Sequence, residues 1–587
     1  MNVGRITRVD GVRASATFYE RMQPFLVKNG KTLASPRINS FVKTSVGLDP
    51  VICQITGEHE AEFDKKSEVN KPDQPTQTGP FIVDLEVRGY ISGGVFKGGL
   101  RCLPIVGATV ETLEDHELKL LYSSHGTKPL CIGRSLFDET NKVYLDAGRL
   151  LASHIGIFGN TGSGKSNTLA YLLKNYANLI PDGSDKARIL VFDLNNEYGE
   201  DSITARTNKT IYHLNTRTHA PSSSDKIPLS LETLDEDSWG TILRATQKTQ
   251  MPIIRRAYRK WKNSDINDFI QGVKQSIVDK RSTVFFTLRS YCDGYFVGIE
   301  NLNYNKTNNS FYRTDDGGKY INAISDIPSI SLARQIDKLD EFYLWLAFEV
   351  ARASESGINF EFVQPLLPRT RSVIKDLNKL FEDSPRTPLK DLFKNKKLVV
   401  IQLGDVNEAS REMLPSLLAK VILDDAQAKK GSKRSESMTT IVVDEAHNLL
   451  SRAAEQSDLV HDNTLRIFEK IIKEGRKFGV FLCLASQRPS DISPTITSQI
   501  HNYFIHKLVN PADVERIRKT VSFMGESSLS MLSALGQGEC IVSGPSLYMP
   551  QYVYVEQLDD TSQPNSSDLQ LFGNGGILAE PEDEIPF

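Results

Sequence analysis

The sequence predicts an α/β protein in which a P-loop nucleotide-binding sheet follows a small β-rich amino-terminal domain and is interrupted by a long helical insertion. Three observations lead there. An apolar run at residues 154–158 opens directly into Gly159-Asn160-Thr161-Gly162-Ser163-Gly164-Lys165-Ser166. Four more apolar runs, at residues 188–193, 398–403, 439–444 and 480–486, have the unbroken character of strands buried on both faces of a parallel sheet. Between the second and third of these five runs lie roughly two hundred residues, much of them with helical periodicity.

Taken in order, residues 1–113 hold short β-type runs at 12–18, 51–56, 80–90 and 104–110, punctuated by Gly and Pro, which predicts a small barrel or sandwich. Residues 65–79, polar and aperiodic, read as a surface loop, and residues 114–153 as a linker into the core. The core's first part spans 154–230. An insertion at 231–391 follows, in which Leu332, Ile336, Leu339, Phe342, Leu346 and Val350 recur every three or four residues, as on one helical face. Residues 301–318, rich in Asn, Tyr and Gly, interrupt it as an irregular segment. The core resumes at 392–558, with further strands at 500–509 and 538–544 and a hairpin partner for the latter at 548–556. Beyond Leu558 there is no Lys or Arg, so 559–587 reads as a flexible acidic tail.

Composition bounds the function. A chain of 587 residues exceeds one hydrophobic core, and 39% hydrophobic with 24% charged residues excludes global disorder. The net charge of −3 excludes chain-wide attraction to polyanions. Seven of the 73 acidic residues lie beyond Leu558, leaving 66 against 70 basic ones, so nucleic-acid binding has to be local. Six scattered cysteines without a Cys-x-x-Cys pair argue against a disulfide framework and a cysteine zinc site. With no signal core and no apolar stretch near ~18 residues, a cytoplasmic protein without a membrane segment is expected.

The chemistry begins at the P-loop. Glycines let backbone N–H groups converge on phosphates, the helix entered at Asn167 adds positive potential, Lys165 reaches the β and γ oxygens, and Ser166 ligates Mg²⁺. Residues 441–447 form an apolar strand ending in Asp444 and Glu445, which predicts Asp444 holding the hydrated metal and Glu445 acting as general base. The strand at 482–486 should lie beside it and end in Gln487, placed to sense the γ-phosphate. Asp193 and Glu197 end another strand near the metal position and are further candidate ligands. Arg476, on a turn after a helix, either reaches across a subunit boundary to a neighbour's γ-phosphate or satisfies the helix dipole. The basic run at 253–262, with Tyr258 and Trp261 among five cations, is either a nucleic-acid contact or a solvated helix face with inward-packed aromatics.

Together these segments resemble HerA, in the HerA/FtsK group of RecA-like DNA-translocating ATPases. The resemblance rests on G-N-T-G-S-G-K-S at 159–166, D-L-N-N-E-Y at 193–198, V-V-D-E-A-H at 442–447, G-R-K-F-G at 475–479 and A-S-Q-R-P-S at 485–490, and covers about residues 154–555. Family members often show Arg-His before the first core strand; this chain has Ser153-His154, with Arg149 the possible substitute. The resemblance implies a RecA-like core behind the family's small barrel. It also implies a homohexameric ring around double-stranded DNA, with ATP and Mg²⁺ bound at subunit interfaces. By motif match, Lys165, Ser166, Asp444, Glu445 and the sensor Gln487 carry over, and Arg476 becomes the favoured trans arginine. It further implies a partner effector, a nuclease or a sirtuin-like NAD hydrolase, as in anti-phage defence pairs or DNA end processing. A translocase or helicase motor is the leading expectation. The alternative is an ATP-gated scaffold that activates its effector without productive movement, while a conjugative or cell-division pump would need a membrane segment.

Overall fold

Alternating small apolar and polar residues curl the amino-terminal strands onto themselves. In Arg13–Phe18 the buried positions are Ala14, Ala16 and Phe18, two small residues and one large one that fill a narrow interior. The computed structural model describes residues 1–19, 25–28, 31–47, 49–60, 81–123, 126, 128–138, 140–181, 187–216, 225–382, 388–429, 437–451, 461–521 and 525–565. The loop expected at 65–79 and the tail from 566 to 587 lie outside them. Six antiparallel strands close in the order Arg13–Phe18, Asn2–Asp10, Thr109–Thr112, Phe41–Val46, Asp49–Glu60 and Phe81–Ser92, the last pairing back to the first through Phe18 and Phe81. The strand expected at 104–110 forms only from Thr109, because Pro104 and the left-handed Gly107 (φ 94°) bend the chain before it.

Among the described residues the main sheet has eleven strands. Seven run parallel, in the order Asn502–Ile505, Ile155–Phe158, Val480–Ser486, Met438–Val443, Ala187–Asp193, Leu398–Gln402 and Lys209–His213. The strand carrying the P-loop is therefore separated from the Asp444 strand by the Gln487 strand, the RecA-like order. On the other edge Glu539–Ser543, Gln551–Tyr554, Pro129–Ser135 and Lys142–Asp146 continue it antiparallel. Residues 114–153 are thus no linker. They form two strands of this sheet and the helices Asp115–Tyr122 and Ala147–Leu151, because Leu130, Ile132, Val143 and Leu145 bury one side of the added strands.

The inner parallel strands are apolar on both faces and feed two cores. Ile155 and Ile157 pack with the helix Lys165–Leu179, whereas Phe158, Leu190 and Phe192 join a cluster that runs without a break into the insertion. There Trp239 packs on Trp261 and Phe342. The helix Lys338–Glu355, capped by the Asp337 carboxylate, buries thirteen of its eighteen residues, so it is the insertion's central helix, not a one-faced one. Leu332 and Ile336 lie before it. The irregular segment holds an antiparallel hairpin, Leu302–Asn305 with Ser310–Arg313. All six cysteines are unpaired. Among the described residues no helix is long and apolar enough to cross a membrane.

The junction between the added strands depends on Gly133. Its φ is 148°, and a Cβ there would stand 2.2 Å from the Tyr554 carbonyl oxygen. Gly133→Ala is therefore expected to part Pro129–Ser135 from Gln551–Tyr554 and to lower unfolding stability by ~2–4 kcal/mol in denaturant titration, whereas Gly94→Ala, at an open left-handed turn, should lose only ~1 kcal/mol.

Candidate functional site

The site forms where parallel strands end and helices begin. Phe158 delivers the chain into the P-loop, where Gly162 (φ 73°) and Gly164 (φ 100°) take left-handed turns that lead into Lys165–Leu179. Gly164 is also hemmed in, since a Cβ there would lie 2.9 Å from the Gly538 nitrogen, which itself donates to the Ser163 carbonyl at 3.0 Å. Backbone approach this close leaves no room for a side chain.

Lys165 and Glu445 meet at 2.7 Å, both almost fully buried, with Asp444 Oδ1 at 3.6 Å from Nζ. Burial opposes the lysine charge, but the two carboxylates outweigh it and raise the Lys165 pKa. Burial likewise opposes the Glu445 charge, yet Lys165, the Gln487 amide and His447 together hold its pKa below the ordinary value. Gln487 Nε2 donates to Glu445 Oε1 at 2.7 Å, and Thr161 donates to Gln487 Oε1 at 2.6 Å, so a chain of polar contacts runs from the P-loop through the sensor strand to the acidic pair. Glu445 occupies the left-handed region (φ 47°), a strained setting for a glutamate that turns its side chain toward Lys165.

Asp444 is aimed by two donors: the Tyr198 hydroxyl at 2.8 Å on Oδ2 and the Glu445 backbone N–H at 2.8 Å on Oδ1. Tyr198 had no assigned role in the sequence; its signal was the D-L-N-N-E-Y spacing. The same run builds a turn in which Asp193 accepts the N–H groups of Glu197 and Tyr198, both at 2.9 Å. With each oxygen accepting a backbone N–H and burial pushing its pKa up to about 6, Asp193 serves the turn and is not among the residues that line the pocket. Glu197 does face the pocket. Burial and then Asp444 raise its pKa, while Asn195, the Ser166 hydroxyl and Lys165 oppose the rise. Among the described residues no cluster of three or more His, Cys, Asp or Glu side chains stands ready to hold a metal. The donor set fits a Mg²⁺ that keeps its waters and phosphates, with Ser166 and Asp444 as the chain's own share and Glu197 beside them.

Arg476 is not brought to this group. It sits exposed on the turn Gly475–Lys477 ahead of Val480–Ser486, beside the imidazoles of His154 and His501, whereas the P-loop lies at the far end of that seven-residue strand. At ~3.3 Å per residue the separation from the chain's own Lys165 is about 20 Å or more. Four of the five cations in the basic run are paired with carboxylates in place. Arg255 pairs with Asp237 at 3.0 Å, Arg256 and Lys260 with Glu349 at 2.9 and 3.0 Å, and Arg259 with Glu236 at 3.6 Å; Lys262 donates to the Glu232 carbonyl, and Trp261 is buried. It is the solvated helix face with inward aromatics.

Two features had no sequence signal. His506 lies fully buried under the P-loop, its Cβ 2.5 Å from where a Gly159 side chain would begin. Residues 556–565, expected to belong partly to a free tail, instead fold over the P-loop helix, with Leu558 and Ser562 buried and Lys174 paired to Asp559 at 3.3 Å.

A family model described as the central domain of helicase HerA matches residues 130–422. A DNA double-strand break repair helicase HerA of Saccharolobus solfataricus is 27% identical over 483 residues, 82% of this chain and 78% of that one. A probable helicase of Methanocaldococcus jannaschii is also 27% identical, over 463 residues, 78% of this chain and 72% of that one. Among solved structures, VirB4 of Thermoanaerobacter pseudethanolicus aligns with a TM-score of 0.43 at 14% identity, over 75% of this chain and 100% of that chain.

Burial lowers the His506 pKa from 6.5 to about 4. The folded state keeps this imidazole neutral while the unfolded chain protonates it, so its contribution to stability is present above pH ~6.5 and fades as pH falls toward ~4. The loss of stability caused by His506→Gln, measured by denaturant titration, should therefore be greatest near pH ~7 and shrink by pH ~4.5.

Proposed function

We propose, for a chain that belongs to the HerA helicase family, that this P-loop ATPase is a motor that moves double-stranded DNA through a ring of six copies. In cells it would work with an effector, a nuclease or a sirtuin-like NAD hydrolase, in anti-phage defence or DNA end processing. The observation that carries the reading is the Lys165–Glu445 pair and its link through Gln487 to Thr161. The phosphate-binding lysine and the candidate base hold each other. An arriving γ-phosphate competes for Lys165, and the released Glu445 carboxylate is then free to accept the proton of an attacking water. Gln487, bonded to both P-loop and base, transmits the presence of the phosphate. Asp444, aimed by Tyr198, and the Ser166 hydroxyl would hold Mg²⁺, which when bound neutralises charge on the β and γ oxygens.

The location of Arg476, far from its own P-loop, supports a site completed between subunits. There a neighbour's arginine would stabilise charge developing on the transferred phosphoryl group, an effect worth ~10³–10⁵ in rate.

The test is ATP turnover with linear duplexes of increasing length. A motor hydrolyses more ATP as the duplex lengthens; a flat response, with the effector fully activated by a Glu445→Gln protein, would replace the motor by an ATP-gated scaffold. Glu445→Gln itself should bind ATP normally and turn over ~10²–10⁴-fold more slowly in a phosphate-release assay. Arg476→Ala should show a comparable collapse with its assembly unchanged by native mass measurement, and mixing it with Glu445→Gln subunits should restore part of the turnover at mixed interfaces.

A further inference from the structure

We propose that the wall from Tyr554 to Gln557, held in place by the strap that continues to Asn565, is the base-binding half of the nucleotide pocket and selects purine nucleotides. The proposal rests on the ATP-binding reading of the P-loop and adds what the phosphate contacts cannot supply.

The P-loop opens into a cavity of about 900 Å³, at the upper end of the ~300–1,000 Å³ typical of small-molecule sites and more than a triphosphate alone would fill. Its far wall is the last folded stretch of the chain. Tyr554 is 42% exposed there, although it sits in a sheet strand. Its ring lies against Gly538, where a Cβ would stand 3.1 Å from Cε2, and Gly538 is bonded directly to Ser163 of the P-loop. An aromatic face is thereby fixed one residue from the phosphate cradle and open to the cavity. Base–aromatic stacking uses such a face and grows with the size of the base.

The neighbouring Gln557 is held with similar economy. Asn167, which directly follows the P-loop serine, donates to the Glu556 carbonyl at 3.2 Å and accepts the Leu558 N–H at 3.1 Å. It grips the backbone on both sides of Gln557, whose own side chain is exposed and lines the cavity. An amide offers a donor and an acceptor side by side, the pattern that matches the N6/N7 edge of adenine, while the preference for a purine over a pyrimidine comes from the larger stack on Tyr554. Farther along, Lys174 binds Asp559 and Ser562, and the Asn565 N–H donates to the Glu197 carbonyl at 2.7 Å. The strap is therefore pinned at both ends to elements that also build the phosphate and metal side.

Direct binding of ATP, CTP and inorganic tripolyphosphate by the full chain tests this. The wild type is expected to bind ATP at least ~10-fold more tightly than CTP or tripolyphosphate. Tyr554→Ala should weaken ATP ~10-fold or more, within the range of one lost stack, with tripolyphosphate unchanged. Tyr554→Phe, which keeps the ring, should restore ATP binding. Gln557→Ala, an exposed change that spares the fold, should weaken ATP several-fold while leaving tripolyphosphate unchanged. Equal affinity of the wild type for all three ligands, or a Tyr554→Ala protein that binds ATP as the wild type does or loses tripolyphosphate in parallel, would overturn the proposal. Lys165→Ala separates the two readings: it should lose ATP and tripolyphosphate together, and if it loses neither, the P-loop assignment falls along with this one.

Discussion

The buried contact between Lys165 and Glu445 sets the terms for the rest of the site. Two opposite charges almost without solvent are stable only when each satisfies the other, and removing one partner of such a pair typically costs ~3–5 kcal/mol. The surroundings are arranged to keep the pair in register. One strand separates the lysine's strand from the glutamate's, and that strand ends in Gln487, which bonds the glutamate directly. The left-handed backbone at Glu445 and the glycine turns at 162 and 164 are the local strain and freedom needed to bring two strand ends to one point. The same pairing gives the site its sensitivity, because a lysine already matched to a carboxylate responds to a ligand only if that ligand carries more negative charge.

Both faces of the sheet are built to hold this edge still. The P-loop helix covers one face, and the insertion covers the other with a cluster continuous from Phe158 and Phe192 to Trp239 and Phe342. A helix buried on thirteen of eighteen residues cannot detach without exposing most of that cluster, so the insertion is part of the platform under the catalytic edge. The antiparallel extension works from the other side. Gly538 touches the P-loop, Tyr554 touches Gly538, and Gly133 admits the Tyr554 carbonyl at a distance no other residue allows.

What could be read from the sequence follows from how local each signal is. The P-loop, the five core strands and the acidic pair are short contiguous patterns with a fixed chemical purpose, and they appear where their spacing put them. Features that depend on distant pairing were not legible. Strands 129–135 and 142–146 are polar on one side and read as a linker, because what joins them to the main sheet is pairing with residues 551–554, some four hundred positions later. The helix at 338–355 looked amphipathic over a window that began too early, since Leu332 and Ile336 carry the right spacing in the wrong conformation. Asp193 has the residue type of a metal ligand, but its two oxygens are claimed by backbone donors four and five residues on, which no composition reveals. The acidic count beyond Leu558 likewise hid Leu558 and Ser562, which bury the strap's first turns.

Charge makes the final connection between the single chain and an assembly. Four of the five cations on the most basic helix are paired with Glu236, Asp237 or Glu349, which reduces its field toward a polyanion, and the chain's overall balance offers none. Arg476 is different. It is exposed beside His154 and His501, whose pKa values burial lowers. On the proposed reading, a cation in that setting, at the end of the sheet opposite the P-loop, serves the site of a neighbouring subunit. A parallel sheet puts its nucleotide edge and its amino-terminal edge on opposite ends of the molecule. Stacking copies so that one edge meets the other is the arrangement in which the carboxylate-rich, phosphate-binding end of one subunit would receive the arginine of the next. On the proposed reading, the geometry that keeps a lone chain from completing its own site is what makes hydrolysis answer to the state of its neighbour.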